Sequence, residues 1–346
     1  MKVLILGAGG AAANGFCRAL RLAGGYQLVG TNSSETDLWL SECETNHLIP
    51  RVDDYAAWQI AVDRVIRKEK PDFIHAQSDG EVEGLGRFRS LAHMHGVKTF
   101  LPRQPVIELC RDKWRSYERW RDFGLTVPFT RLVKSPIEIT AQLCHGEVWM
   151  RPRVGAGGQK SLRTDDGSLA KGWWRQHRST EFTIAECLTP RSVTVQQLYW
   201  KGQLVCSQQR TRESWANAGS TTTGVSGSTG VGVTSSHVEA DRVADLAVAA
   251  VDDQPHGLYG VDMAYNAAGT PCPTEINIGR FFTTAPEFFA MAGLNMASYY
   301  TMTGIAGGEQ MRALGRNPIP DGYRWVRGMD KLPVLVPPEP AVAKAA

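Results

Sequence analysis

The alternation of apolar and polar positions predicts a parallel sheet in the N-terminal third of the chain. The apolar run KVLIL at 2–6 precedes a glycine-rich turn, an amphipathic stretch that ends at Gly24, and a second apolar run at 26–30. This strand–helix–strand order predicts a doubly wound α/β domain. Helical periodicity at 60–68 and a strand pattern at 72–76 continue it, and we expect the domain to end near Leu109.

The pattern changes after this point to segments typical of a mixed α and β structure. Four aromatic residues spaced three apart, from Trp114 to Phe123, predict an amphipathic helix that is stopped by Gly124. Apolar–polar alternation predicts strands at 148–150, 183–188, 192–199 and 203–208, and a hairpin at 258–278. Helical periodicity predicts helices at 238–251 and 285–302. The Pro/Ala-rich segment 333–346 is expected to be disordered.

Composition excludes several classes of function without indicating a particular one. The 346 residues carry a net charge of only +3 with no block of like charges, so neither a nucleic-acid nor a membrane partner is expected. Seven scattered cysteines without a CxxC pair argue against a zinc site and a disulfide framework. With no long apolar run and no signal-peptide pattern, we expect a reducing, cytoplasmic compartment.

The hairpin at 258–278 carries an unusual set of oxygen ligands. Glu275 and Asn277 are two residues apart on the return strand, so their side chains share a face, and normal pairing brings Asp262 near them. Two carboxylates and an amide oxygen suit magnesium, and Arg280 beyond the strand could hold a phosphate or carboxylate. A solvated hairpin face with alternating polar residues is the competing interpretation.

A second chemical signal is the segment RPRVGAGG at 151–158. Arg151 ends a predicted strand, and Gly155, Gly157 and Gly158 would let backbone N–H groups approach phosphate oxygens without interference from a Cβ. The alternative is an ordinary glycine-rich hairpin turn. The Gly/Ser/Thr-rich stretch 217–236 is interpreted as a mobile loop of an active site.

The glycine turn at 7–12 allows a different function. Its spacing is similar to the dinucleotide-binding fingerprint of NAD-dependent oxidoreductases, which also requires an acidic residue at the end of the second strand. Here that place reads Gly30-Thr31-Asn32-Ser33, and the first acid, Glu35, comes late. We therefore interpret these glycines as packing residues and keep NAD binding as the alternative, which a fluorescence titration with NADH would test.

The order of the segments RPRVGAGG, IAECL and VDMA…TEIN resembles the ATP-grasp superfamily, and most closely the ATP-binding unit of carbamoyl phosphate synthetase large subunits. The resemblance spans roughly residues 1–305. It implies an α/β (α+β) fold in which a parallel pre-ATP-grasp domain at 1–109 precedes a two-lobed ATP-grasp module. That module would comprise a linker helix and lid subdomain at 110–190 and a catalytic subdomain with the metal hairpin at 191–332.

The resemblance also assigns roles, residue by residue. It implies that ATP is held by residues at the first helix, the lid, the hinge and a later loop: Lys113, Arg151, Gly155, Gly157, Gly158, Glu186, Leu188, Gly224, Val225 and Ser226. Asp262, Glu275 and Asn277 match the magnesium positions, while Arg280, together with Arg210 or Arg212, would hold the acylphosphate or carboxylate. The sequence departs from the pattern at three places. Ser192 stands where the superfamily usually has a ribose-binding glutamate, Asp262 stands where the nearest relatives carry glutamine, and Arg280 is one residue further from Asn277 than in those relatives.

The activity implied is that of an ATP-dependent carboxylate–amine ligase that forms an acylphosphate and releases ADP and phosphate. Its cofactors would be ATP and Mg²⁺, with Mn²⁺ as a substitute, its substrates a small carboxylate and an amine, and its assembly a homodimer. A non-catalytic ATP-binding protein of the same fold is the second alternative, which ATP turnover over mixed substrates would distinguish.

Overall fold

The N-terminal part of the chain is a parallel sheet flanked by helices. The computed structural model describes residues 1–155, 157–216, 223 and 229–328, together with the backbone of 334–336. The strands have the order β3-β2-β1-β4. Strand β1 is apolar at Val3, Leu4, Ile5 and Leu6 because it is buried on both faces, as expected for a parallel sheet. The elements are β1 Lys2–Leu6, α1 Ala11–Ala23, β2 Gln27–Asn32, α2 Glu35–Trp39, β3 Thr45–Leu48, α3 Tyr55–Glu69, β4 Phe73–Ala76 and α4 Asp79–Met94.

The glycine turn before α1 is a site of close packing. Gly9 has φ +86°, and a Cβ there would overlap the backbone carbonyl of Asp37 in α2. Asn32, at the end of β2, donates from Nδ2 to the carbonyl of Ala8 at 2.6 Å. These contacts support the interpretation of the glycines as packing residues, because α2 lies directly against the turn.

A smaller antiparallel sheet follows, with the order β5-β8-β6-β7. Helices α7 and α8 pack on it, and its core includes Ile139, Met150, Phe182 and Ile184. Helix α7 begins with a capping box between Ser135 and Glu138. The elements are α5 Gln104–Arg111, α6 Lys113–Asp122, β5 Thr130–Val133, α7 Pro136–Leu143, β6 Val148–Pro152, β7 Leu162–Thr164, α8 Gly167–Gln176 and β8 Phe182–Glu186.

The third sheet has the order β13-β12-β9-β10-β11-β15-β16, with β14 paired to β10. One of its faces carries Val193, Val195, Val261 and Ile276, which join the core that includes α9. Its elements are β9 Ser192–Trp200, β10 Gln203–Trp215, β11 Thr229–Ser235, α9 Val238–Ala249, β12 Gly257–Tyr265, β13 Pro271–Ile278, α10 Ala285–Met291, α11 Met296–Ala306, a short 3₁₀ helix Gly308–Gln310, β14 Gly315–Arg316, β15 Arg324–Val326 and β16 Val334–Val336.

Strand β10 corrects the sequence prediction in a way that matters for the site. The strand was expected to end at Gln208, but it continues to Trp215. It pairs with β9 through Arg212 and with β11 through Trp215. The pairing of these neighbours on both sides extends the strand, so Arg210 and Arg212 are positions in a sheet rather than in a loop.

Three other expectations are also corrected. The stretch predicted as one helix at 285–302 is two helices, because Gly293 adopts φ +97° and Asn295 caps α11 by accepting from the backbone N–H of Ser298 at 3.0 Å. Residues 229–235 of the predicted loop form strand β11, and 334–336 of the predicted tail form β16, since each pairs with β15. Except for Thr223 and Ser236, the rest of these two segments lies outside the described residues.

No helix within the described part of the chain is both long and apolar enough to cross a membrane.

Candidate active site

A cleft of about 420 Å³ lies between the second sheet and the polar face of the third sheet. It collects every described residue that the sequence had assigned to a site, although these residues are spread from α6 to the loop after β13. Those lining it are Lys113, Arg151, Gly155, Gly157, Gly158, Glu186, Leu188, Arg212, Asp262, Glu275, Asn277 and Arg280. The predicted residues Gly224, Val225 and Ser226 lie outside the described residues.

Strand register explains why distant residues meet on the floor of this cleft. Glu275 in β13 is paired with Asp262 in β12, Asp262 with Thr194 in β9, and Thr194 with Arg210 in β10. Directly opposed residues in paired strands point to the same face of a sheet. The register therefore places the metal-ligand candidates at one end of a transverse row and Arg210 at the other.

The oxygen ligands of the hairpin are close together. Asn277 donates from Nδ2 to Oδ2 of Asp262 at 2.9 Å, which leaves the amide oxygen of Asn277 free to accept or to ligate. Glu275 accepts no hydrogen bond from the described residues, and its contacts are ion pairs at 3.8 Å with Lys113 and 3.9 Å with Arg151. A carboxylate with so few partners, beside a second carboxylate and an amide oxygen, is a donor set that fits Mg²⁺.

This set contains only two carboxylates and an amide. Among the described residues there is no group of three His, Cys, Asp or Glu side chains that could hold a metal ion. A magnesium ion here would therefore need further oxygens from its substrate or from water, which is the usual situation for Mg²⁺ bound with phosphates.

Lys113 is fixed at the start of α6 by its neighbour. Asp112 caps this helix by accepting from the backbone N–H groups of Trp114 and Arg115, both at 3.1 Å. Asp112 also accepts hydrogen bonds of 2.7–2.9 Å from Arg153, next to the glycine segment. Lys113 in turn donates from Nζ to the carbonyl of Gly155 at 2.6 Å. Burial lowers the pKa of Lys113, against the opposing attraction of Glu275.

Arg151 reaches the hairpin from β6. It donates from Nη2 to the backbone carbonyl of Thr274 at 2.7 Å, where a bulge after Asp262 leaves Thr274 without a paired residue on β12. Burial lowers the pKa of Arg151, while the charges of Glu275 and Asp262 act in the opposite direction. Lys113 and Arg151 thus both lie beside Glu275, at one end of the transverse row.

The glycine segment has the backbone conformation that its sequence requires. Gly157 and Gly158 have φ values of +66° and +71°, in the left-handed region that glycine adopts without strain. Both line the cleft and are exposed. The hinge residues Glu186 and Leu188 also line the cleft. Next to them, the backbone N–H of Thr189 donates to the carbonyl of Tyr265 in β12 at 2.8 Å.

Arg280 and Arg212, the predicted catalytic residues, both have carboxylate partners. Arg280 donates from Nε to Asp79 at the start of α4, and Arg212 donates from Nη2 to Asp262. Burial alone would raise the pKa of Asp79, but the charge and hydrogen bond of Arg280, together with the charges of Lys113 and Arg111, hold that pKa below its ordinary value. The Arg280–Asp79 pair links the N-terminal sheet to the cleft.

Further cleft residues are Arg210, which the sequence offered as an alternative to Arg212, and three aromatic residues. Arg210 is 2 % exposed, and burial together with the charge of Arg212 lowers its pKa to about 9. Trp149, Trp215 and Phe282 form part of the wall, and Arg212 lies over the Trp215 ring at 4.4 Å. The signal for the arginines was the continued alternation of the sequence RTRESW, which predicts that β10 extends past Gln208. For the tryptophans, nothing in the sequence distinguishes a residue that lines the cleft from a residue of the hydrophobic core.

Comparison with known proteins identifies the fold. No model of a protein family and no curated protein sequence matches the chain. Among solved structures, an L-amino acid ligase from Bacillus licheniformis superposes with a TM-score of 0.66 at 14 % identity, covering 94 % of this chain and 78 % of that chain. N5-carboxyaminoimidazole synthetase from Staphylococcus aureus, complexed with ADP, gives a TM-score of 0.70 at 14 % identity, covering 94 % and 82 %.

A third similar structure is the biotin carboxylase domain dimer of 2-oxoglutarate carboxylase from Hydrogenobacter thermophilus, in complex with MgADP, ADP and bicarbonate. It has a TM-score of 0.68 at 16 % identity, covering 94 % of this chain and 73 % of that chain. These enzymes share the ATP-grasp architecture. The chain therefore has an ATP-grasp fold, as the sequence resemblance implied, and the match spans both the N-terminal parallel sheet and the two antiparallel sheets.

Proposed function

We propose that this protein is an ATP-dependent ligase that activates a carboxylate as an acylphosphate and joins it to an amine. The observation that carries the proposal is the convergence of Asp262, Glu275 and Asn277 with Lys113 and Arg151 in one cleft of an ATP-grasp fold. An oxygen-rich cluster that faces two cations is the arrangement expected where a metal–polyphosphate substrate binds.

In the proposed reaction, a carboxylate oxygen of the acid bonds to the γ-phosphorus of ATP as the bond from that phosphorus to the β,γ-bridging oxygen breaks. ADP leaves with the electron pair. An amine nitrogen then attacks the acyl carbon, the carbon–oxygen bond to phosphate breaks, and the amine releases a proton to solvent. Phosphoryl transfer of this kind depends mainly on positioning and on neutralising charge.

The residues of the chain have separate roles in this scheme. Asp262, Glu275 and Asn277 would hold Mg²⁺, which when bound neutralises phosphate charge. Lys113 and Arg151 neutralise and orient the phosphate chain, and the backbone of Gly157 and Gly158 covers it. Glu186 and Leu188 address the adenine at the hinge, and Gly224, Val225 and Ser226 would line the nucleotide. Arg280 and Arg212 orient the reacting end through their carboxylate partners.

The finer parts of the proposal concern context. We place the subdomain boundaries near Leu109, Pro190 and Leu332. Mn²⁺ is proposed to replace Mg²⁺, since both accept oxygen ligands. A homodimer is proposed because the similar 2-oxoglutarate carboxylase domain is described as a dimer. A reducing cytoplasmic compartment is proposed from the scattered cysteines.

The test is a screen for ADP release with MgATP and mixtures of amino acids, other small carboxylates and amines. The proposal expects ADP formation that requires both a carboxylate and a divalent cation. AMP as the product, or ADP formation that no carboxylate accelerates, would contradict it. A matched titration with NADH distinguishes the oxidoreductase alternative, which requires saturable NADH binding.

A further inference from the structure

One buried cation in the cleft lacks a carboxylate partner among the described residues. Arg212 is paired with Asp262 and Arg280 with Asp79, while Lys113 and Arg151 share Glu275. Arg210, by contrast, donates from Nε to Oγ1 of Thr194 at 3.1 Å and from Nη1 to Oγ1 of Thr284. Its guanidinium carbon lies 5.5 Å from the centroid of the Phe282 ring.

This arrangement is unusual because an ionised group buried without a counter-charge is destabilising unless a ligand compensates it. Arg210 is 2 % exposed, and among the described residues it contacts two hydroxyl oxygens and an aromatic face but no carboxylate within ion-pair distance. The charge of Asp262 does act on it, but Asp262 is already paired with Arg212. A structural role in an ion pair is therefore absent within the described residues. Because Arg210 lines the cleft, an anionic ligand bound there would supply the missing counter-charge.

Three of the five N–H donors of the Arg210 guanidinium have no partner among the described residues. Nε is used by Thr194 and one hydrogen of Nη1 by Thr284, whereas Nη2 has no hydrogen-bond partner among the described residues. One hydrogen of Nη1 and both hydrogens of Nη2 therefore remain available, and Nη1 and Nη2 together define the end-on edge of the planar group. That edge matches the two oxygens of a carboxylate, which it binds through paired, charge-assisted hydrogen bonds.

The position of Arg210 separates it from the phosphate-binding cations. It lies at the β10 end of the transverse row, whereas Lys113 and Arg151 contact Glu275 at the β13 end. These ends are three strand spacings apart, about 14 Å between backbones. The oxygen cluster at Asp262 lies between them, which is where a γ-phosphoryl group would pass from ATP to an acceptor.

We propose that Arg210 binds the carboxylate of the acid substrate end-on through Nη1 and Nη2, with Phe282 against the face of its guanidinium. This inference rests on the proposed ligase function and deepens it. It makes Arg210, rather than Arg280, the residue that selects a carboxylate, and it assigns Arg280 with Asp79 to positioning the loop after β13. Thr194 and Thr284 hold the guanidinium in the plane that the acid meets.

The test measures binding of defined acids to the protein saturated with MgADP. Isothermal titration with sodium formate, acetate, L-alanine and L-glutamate, at ionic strength held constant with sodium chloride, compares wild type with Arg210→Lys and Arg210→Met. Arg89→Met is the matched control, because Arg89 is another largely buried arginine without an ion-pair partner among the described residues. It donates to the carbonyl of Pro102, outside the cleft.

We expect at least one acid to bind wild type, with a dissociation constant raised about 30-fold in Arg210→Met, since hydrogen bonds to charged groups contribute roughly 1.5–3 kcal/mol. Arg210→Lys should be intermediate because it keeps the charge without the paired donors, and Arg89→Met should bind as wild type does. Circular dichroism establishes that the variants are folded, and Arg210→Lys carries the test if Arg210→Met is not.

Three results would overturn the inference. One is acid affinity that is unchanged in Arg210→Met and Arg210→Lys, which leaves the ligase proposal standing. Another is loss of acid binding in Arg280→Met but not in Arg210→Met. The third is the absence of binding by any of the acids to the wild-type MgADP complex. Failure of MgADP itself to bind wild type would instead refute the proposed function, and the inference with it.

Discussion

Replacement of Asp79 by asparagine tests whether the N-terminal sheet stabilises the active-site cleft. Asp79 accepts a hydrogen bond from Nε of Arg280, and this ion pair is largely buried, since the Asp79 and Arg280 side chains are 19 % and 13 % exposed. Asp79→Asn keeps the size of the side chain but leaves the buried Arg280 charge without its partner. Breaking one side of a buried ion pair costs about 3–5 kcal/mol.

The structure places the expected value at the lower end of that range. Glu275 and Asp262 also act on Arg280 and would compensate part of the lost attraction. We therefore expect Asp79→Asn to lower the free energy of unfolding by about 3 kcal/mol at pH 7, on the order of a hundredfold in the folding equilibrium. Urea unfolding followed by tryptophan fluorescence measures this, with Asp53→Asn as the control.

Asp53 is a suitable control because it is paired with Arg51 on the surface, where the side chains are 74 % and 76 % exposed. Surface substitutions of this kind usually change the free energy of unfolding by no more than about 0.5 kcal/mol. The double variant Asp79→Asn/Arg280→Met should lose less free energy of unfolding than the two single variants lose together, because each single change already breaks the pair. An Asp79→Asn variant that unfolds at the same urea concentration as Asp53→Asn would refute the reasoning.

The difference in free energy of unfolding between wild type and Asp79→Asn should depend on pH in a definite direction. Because the pKa of Asp79 is lowered in the folded state, the folded protein binds fewer protons there than the unfolded chain. The stabilisation is fully present above the unfolded pKa of about 4 and is lost as the pH falls through the folded pKa. The gap between wild type and Asp79→Asn should therefore be constant from pH 7 to about pH 5 and narrow below about pH 4.

Two further predictions concern the cleft directly. Glu275→Gln should reduce magnesium-dependent turnover by on the order of a hundredfold, because it removes a charged oxygen ligand, and circular dichroism establishes that the variant is folded. A rate within threefold or so of wild type would remove the hairpin from the site. Backbone amides at 157–161 should gain protection from hydrogen exchange when MgATP binds, since Gly157 and Gly158 are exposed in the cleft wall. Unchanged exchange there at saturating MgATP, measured by mass spectrometry, would contradict closure over the nucleotide.

Sequence patterns predicted the parts of this structure that depend on local chemistry. Alternation in the hairpin placed Glu275 and Asn277 on one face, and the structure has Asn277 donating to Asp262. The apolar run of β1 predicted a buried parallel strand for the same local reason. The ATP-grasp fold followed from several motifs in order rather than from any one of them.

The remaining features depend on contacts between distant parts of the chain. Asp79 and Arg280 are 201 residues apart, and no periodicity in either segment indicates that they are ion-paired. The extension of β10 past Gln208 depends on pairing with β9 and β11, which local propensity does not contain. The break between α10 and α11 was signalled by Gly293, but a glycine within a helical pattern is also tolerated.

In the proposed reaction, a carboxylate attacks the γ-phosphorus of ATP in this cleft. This step is tested by supplying the acid that supports ADP release with both carboxylate oxygens labelled with heavy oxygen, together with MgATP and the amine. We expect ADP as the nucleotide product and one labelled oxygen in each released phosphate, because the oxygen that attacked phosphorus stays with it when the acyl carbon–oxygen bond breaks. Release of AMP and pyrophosphate, or of phosphate that carries no label, would contradict it.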